Sequence, residues 1–142
     1  MVENMTTVQE TTRVPDAPPI HISEADYDRI ADLALRLEHS SPGLSRLILE
    51  EIDRAEIHGT ESLPNDVVAI GSEVEFLDTT TGKQRRVQLV WPSQADIEEG
   101  RISVMTPVGA GLIGMRVGQE ISWPRPDGRA RVLKILKVKQ PL

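Results

Sequence analysis

Residues 102–119 read Ile-Ser-Val-Met-Thr-Pro-Val-Gly-Ala-Gly-Leu-Ile-Gly-Met-Arg-Val-Gly-Gln, and they restrict the architectures open to this chain more than any other stretch. Ile102, Ser103 and Val104 have the composition of a strand end. Thr106 is a good N-cap, and Pro107 stands at a first helical position, where no amide donor is needed. Val108, Leu112 and Ile113 give the helix that starts there an apolar face. Gly109, Gly111 and Gly114 lower its propensity, and Gly114 suits a left-handed C-terminal residue, so the predicted helix is about two turns. After it, Val117-Gly118 turns the chain into a strand at Glu120-Ile121-Ser122-Trp123. A helix this short cannot serve as the long crossover of a parallel sheet, which favours an α+β domain with a mainly antiparallel sheet.

The same run contains Gly109-x-Gly111-x-x-Gly114, the spacing of a dinucleotide-binding fingerprint. A true fingerprint opens a long helix in a βαβ unit of roughly 30 residues, with an acidic residue about 20 positions on. Asp127 lies near that distance, but Gly114, Gly118, Pro124 and Pro126 intervene and only a short tail follows. The glycines read instead as places where a short helix packs closely on a sheet, and no cofactor is expected.

The 142 residues suffice for one domain with an appendage. Aromatics are only 3% of the chain, so the core must be built from Val, Ile and Leu. The absence of cysteine excludes disulfides and thiolate chemistry. The first ten residues lack the basic and apolar regions of a signal peptide, and no apolar run approaches a membrane span. The expectation is a soluble cytoplasmic protein. Charge is unevenly spread: residues 1–66 carry 14 acidic and 5 basic side chains, a net −9, whereas residues 67–142 carry 8 and 11, a net +3. Such a dipolar chain suits a large protein partner with charge of both signs better than bare duplex DNA.

In chain order, residues 1–20 are rich in Thr, Glu and Pro without an apolar period and predict a disordered leader. Ser23 is a capping signal, and Tyr27, Ile30, Ala34 and Leu37 share one helix face, predicting a helix over 24–37. After Glu38-His-Ser-Ser-Pro-Gly43, the period resumes at Leu44, Leu47, Ile48, Ile52 and Ala55, predicting a second helix that ends near His58-Gly59. Two such helices form an antiparallel hairpin, a short coiled coil, over 21–64. From Val67 the period becomes that of strands. Val67-Val-Ala-Ile70 is a continuous apolar run. Val74 and Phe76 alternate with Glu73 and Glu75, and Thr81-Gly82 is a hairpin turn. Val87, Leu89 and Trp91 share a parity that Pro92 ends, and Arg101 to Met105 makes a further strand. Asp127-Gly128 is a second hairpin turn, and the last strand, with Ala130, Val132, Leu136 and Val138 in alternation and Leu133 and Ile135 making its middle apolar on both faces, reads as central. The sheet domain is expected over 65–142.

Catalytic and metal signatures are weak. His21, His39 and His58 fall in the leader, a loop and a helix end, with no metal-ligand spacing. Glu50, Glu51, Asp53 and Glu56 cluster on the second helix but stand near Arg46 and Arg54, as on a solvated, partly paired face. Arg129, Arg131, Lys134, Lys137 and Lys139 make the last strand basic, yet two Trp, one Tyr and one Phe provide no stacking platform for nucleic acid.

The acidic hairpin followed by Ile102-Ser-Val-Met-Thr-Pro-Val-Gly-Ala-Gly-Leu-Ile-Gly114 resembles the carboxy-terminal domain of the Gre transcript-cleavage factors. Within that superfamily it is most similar to the Rnk form, through Leu63-Pro-Asn-Asp-Val-Val68, Met105-Thr-Pro-Val-Gly109 and Gly114-Met-Arg-Val-Gly118. The resemblance covers about residues 20–138. It implies an FKBP-like sheet domain that docks on bacterial RNA polymerase at the rim of the secondary channel, contacting nucleic acid only through the polymerase, with no membrane. The docking residues it implies are Ser103, Thr106, Pro107 and Val108. Gre factors carry two acidic residues at the tip of a long coiled coil that help hold a catalytic magnesium ion. Here the tip is Glu38, His39, Ser40 and Ser41, with Glu38 its one carboxylate, on helices of about 14 residues that reach about 21 Å. The expectation is therefore a non-enzymatic regulator that competes with longer channel-binding factors, without transcript cleavage. Two alternatives are a peptidyl-prolyl isomerase, by fold analogy alone and short of aromatics to line a site, and direct action on nucleoside diphosphate kinase.

Overall fold

The computed structural model describes residues 19–59, 61–124 and 130–141. The predicted leader lies outside them up to residue 18, as does the Asp127-Gly128 turn. The residue that ended the leader, Ile20, is fully buried and belongs to the core.

The chain opens with β1 (His21–Ser23) and α1 (Glu24–Arg36), and α2 (Pro42–Asp53) packs back along α1 before β2 (Glu56–His58). The sheet-forming half follows: β3 (Glu73–Asp78), β4 (Lys83–Val90), β5 (Arg101–Ser103), the short helix α3 (Pro107–Leu112), β6 (Glu120–Pro124) and β7 (Ala130–Lys139). Its five strands are ordered β5-β4-β3-β7-β6, antiparallel except for the parallel β4–β5 pair. This is the α+β arrangement of helices followed by a mostly antiparallel sheet that the periodicities predict.

α1 begins where Ser23 Oγ accepts the Asp26 amide at 3.2 Å. Its buried stripe, Ile30 and Ala34, meets Ile48 and Ile52 of α2, and Ser45 Oγ donates to the Ala34 carbonyl at 2.7 Å across the interface. These hairpin residues share one hydrophobic cluster with Phe76, Leu89, Leu112, Leu133 and Ile135 of the sheet half. The Arg29 guanidinium also lies 4.1 Å from the centre of the Trp91 ring just beyond β4, and the Asp26 carboxylate accepts the Ile70 amide. The hairpin is thus seated on the sheet half by its apolar face and by polar contacts at its rim.

The structure corrects three expectations. The second helix stops at Asp53 rather than near His58-Gly59: the Glu56 amide donates to the Ile20 carbonyl at 2.8 Å, and residues 56–58 pair in parallel with 21–23. Past Ile52 the apolar stripe continues only as far as the partly buried Ala55, and the backbone satisfies its hydrogen-bonding groups by pairing with another segment. The apolar run at Val67 is not a strand. Val67 makes one isolated bridge to Arg116, and Val68 is buried in a connection closed by Gly71, whose φ is 91°. Apolar continuity there records burial, not extension. In β7, Leu133 and Ile135 point into the core, and the pairing shifts register between Glu75 and Phe76, skipping Leu136, so that Val138 packs against the core in its turn. The apparent two-faced apolar middle is a bulge, although β7 is indeed an inner strand, between β3 and β6.

Candidate functional site

The corner between β5 and α3 carries the four residues predicted to meet a partner. Thr106 is the N-cap: Oγ1 accepts the Gly109 amide at 3.1 Å and donates to the Ser103 carbonyl at 2.7 Å. Ser103 is 8% exposed, and its Oγ accepts the Met105 amide at 2.9 Å. Ser103 and Thr106 therefore spend their hydroxyls on the corner itself. Pro107 is exposed and Val108 half-buried, so those two form the accessible part of the corner. A Cβ on Gly109 would fall on the Ser103 carbonyl oxygen and lie 2.9 Å from Val104 Cα. Only glycine lets α3 rest directly on the strand end.

Gly114, at φ 81°, has the left-handed conformation predicted for it, and a Cβ there would lie 2.7 Å from Ile20 Cβ. Its carbonyl accepts the His21 amide at 3.0 Å. The first and last glycines of the dinucleotide-like spacing are thus accounted for by close packing around a six-residue helix.

At the hairpin tip, Glu38, His39 and Ser40 are exposed and Ser41 is half-buried. The turn is closed by the Ser41 amide donating to the Leu37 carbonyl at 2.7 Å, and the Ser41 side chain does not cap α2. With 13 and 12 residues in the two helices, the arm is about 20 Å long. The carboxylate cluster assigned to the second helix is divided, because Glu56 belongs to β2. Glu51 pairs with Arg54 at 2.7 Å. Burial pushes the Glu51 carboxyl up, only partly opposed by Arg54, and it likewise pushes Asp26 up against its hydrogen bonds to Ser23 and Ile70.

The basic character of the last strand is locally balanced. Lys137 and Lys139 stand opposite Glu75 and Glu73 in the β3–β7 register, and Glu75 also faces Arg86 at 3.7 Å. Together these five residues line a groove of mixed sign, which is a poor phosphate track. Arg129 lies outside the described residues. Of the three histidines, His39 stays at the tip, but His21 and His58 stand side by side on β1 and β2, not in a leader and a helix end. Their separation of 37 residues hid that meeting from any spacing rule.

Residues 63–140 match the family described as "Transcription elongation factor, GreA/GreB, C-term", and residues 18–57 match the Rnk N-terminus. The "Regulator of nucleoside diphosphate kinase" of Escherichia coli K12 is 35% identical over 122 residues, covering 86% of this chain and 90% of that protein. The chain belongs to the Rnk branch of the GreA/GreB family. Transcription elongation factor GreA of Azorhizobium caulinodans is 34% identical over 106 residues, covering 75% of this chain and 67% of that protein. A solved GreA/GreB elongation factor from Nitrosomonas europaea superposes with a TM-score of 0.67 at 34% identity, covering 86% of this chain and 98% of that one. Among the described residues, no helix is long and apolar enough to cross a membrane.

Proposed function

We propose that this chain is a cytoplasmic transcription regulator that binds bacterial RNA polymerase through the β5–α3 corner, places its short hairpin at the mouth of the secondary channel, and thereby excludes longer channel-binding factors. The observation that carries the reading is the corner. In the stretch whose residues support the Gre resemblance, Thr106 and Ser103 are committed to holding the backbone, which leaves Pro107 exposed beside a half-buried Val108. A rigid proline next to an apolar neighbour gives a contact that loses little entropy on binding. The arm of about 20 Å with Glu38 as the one carboxylate of its tip turn supports occupancy without transcript cleavage, since a lone carboxylate on a short arm does not complete a magnesium site.

The test is binding to core RNA polymerase. Pro107→Glu adds an exposed charge without touching the cap, and it is expected to weaken binding at least tenfold, about 1.4 kcal/mol, with the circular dichroism spectrum unchanged. Equal binding by the folded variant, or no binding by the parent, refutes the docking surface.

A further inference from the structure

We propose that His21, Glu56 and His58 form a binding site for one divalent transition-metal ion of the zinc type. The residues converge because β1 and β2 pair in parallel, with His21 opposite Glu56 and Ser23 opposite His58. Glu56 and His58 are two apart on one strand and share a face, and the register brings His21 to the same face. The ligands are thus held by hydrogen-bonded backbone.

The donor atoms are close to a metal-binding arrangement. His21 Nδ1 and His58 Nε2 are 3.0 Å apart, His58 Nε2 and Glu56 Oε2 3.4 Å, and His21 Nδ1 and Glu56 Oε2 3.9 Å. A tetrahedral ion with bonds of about 2.0–2.1 Å separates its donors by roughly 3.4 Å, a value these three edges bracket. The imidazoles are largely enclosed, with side chains 12% and 17% exposed, whereas Glu56 stands on the rim at 63%. Two imidazole nitrogens and one carboxylate make a set suited to zinc and its borderline neighbours rather than to magnesium or calcium, with the fourth position left to water.

Without an ion, the two rings form a hydrogen-bonded pair in which one facing nitrogen carries the proton and the other accepts it. Coordination requires both facing nitrogens to be bare, so His21 then carries its proton on Nε2 and His58 on Nδ1, and neither ring changes charge. A bound ion would clip the strand before α1 to the strand after α2, closing the base of the hairpin. The site uses none of Ser103, Thr106, Pro107 or Val108.

The test uses the full chain, free of any affinity tag and stripped with a chelator, titrated with Zn(II) by calorimetry at neutral pH. The expected result is one ion per chain with micromolar or tighter affinity. His58→Gln and Glu56→Gln should each weaken binding roughly tenfold or more. Zinc should raise the thermal midpoint of the parent and not that of folded His58→Gln. Because a variant could fail to fold, the histidine ring resonances of the parent are followed in the same titration: those of His21 and His58 should move while those of His39 stay. Absence of binding at about 100 µM zinc, affinity unchanged in folded His58→Gln, or ring shifts confined to His39 would overturn the proposal.

Discussion

Gly109→Ala separates helix propensity from packing at the corner that the proposed function depends on. Propensity alone makes alanine about 0.8–1.0 kcal/mol better than glycine inside a helix. The structure reverses the sign, because the new Cβ would overlap the Ser103 carbonyl oxygen and lie 2.9 Å from both the Ser103 carbonyl carbon and Val104 Cα. These are backbone atoms and no flexible side chain can move aside, so α3 must lift from β5. Overpacking of this kind costs about 1–3 kcal/mol, and the lift also strains the bond from Thr106 Oγ1 to the Ser103 carbonyl, adding about 1 kcal/mol. After subtracting the propensity gain, the expected net loss is roughly 1–3 kcal/mol, a fall in thermal midpoint of about 3–10 °C. Gly43→Ala in the first turn of α2 is the matched comparison: no atom lies within 4 Å of its would-be Cβ, so it should stabilise by a few tenths to about 1 kcal/mol. Thermal unfolding followed by circular dichroism measures both. A midpoint for Gly109→Ala equal to or above that of the parent would refute the claim that glycine is required there for close approach.

Ser45→Ala removes the buried hydrogen bond to the Ala34 carbonyl; because that carbonyl also accepts the Leu37 amide at 3.1 Å, it keeps a partner, and urea titration should show a loss of about 0.5–1.5 kcal/mol. Glu51 has a folded pKa raised above its ordinary 4.5, chiefly by burial, so the native state holds the extra proton. Its contribution to stability is greatest below 4.5 and is lost as pH rises through the folded value. Glu51→Gln should therefore change stability by no more than about 1 kcal/mol at pH 7, despite losing the Arg54 pair, and should steepen the loss of stability on acidification, because the variant lacks the low-pH contribution of the protonated Glu51. A loss above about 2 kcal/mol would mean that the charged pair is strongly stabilising.

The elements most legible in the sequence were those whose local chemistry and tertiary role agree. Thr106 and Pro107 cap α3, Gly114 adopts the left-handed conformation, Ser23 caps α1, and the stripe of Ile30, Ala34, Ile48 and Ile52 faces inward. What was not legible depends on distant partners. β2 exists because residues 56–58 meet residues 21–23, and helical periodicity through Ala55 carries no sign of that pairing. The bulge in β7 shows only in its register against β3. The cluster of His21, Glu56 and His58 was missed for the same reason as β2: its spacing exists in the paired strands and not along the chain. The alternation of Glu56 and His58 was the one local signal, but inside a presumed helix it placed them on different faces.

The most direct measurement for the proposed function is transcript cleavage in stalled elongation complexes with a Gre factor present at a fixed level and this chain titrated in. The expected result is progressive suppression of Gre-dependent cleavage, reversed by added Gre factor, with no cleavage by this chain alone and much weaker suppression by Pro107→Glu. Cleavage stimulated by this chain itself, or Gre-dependent cleavage unaffected by an excess of it, would contradict the account.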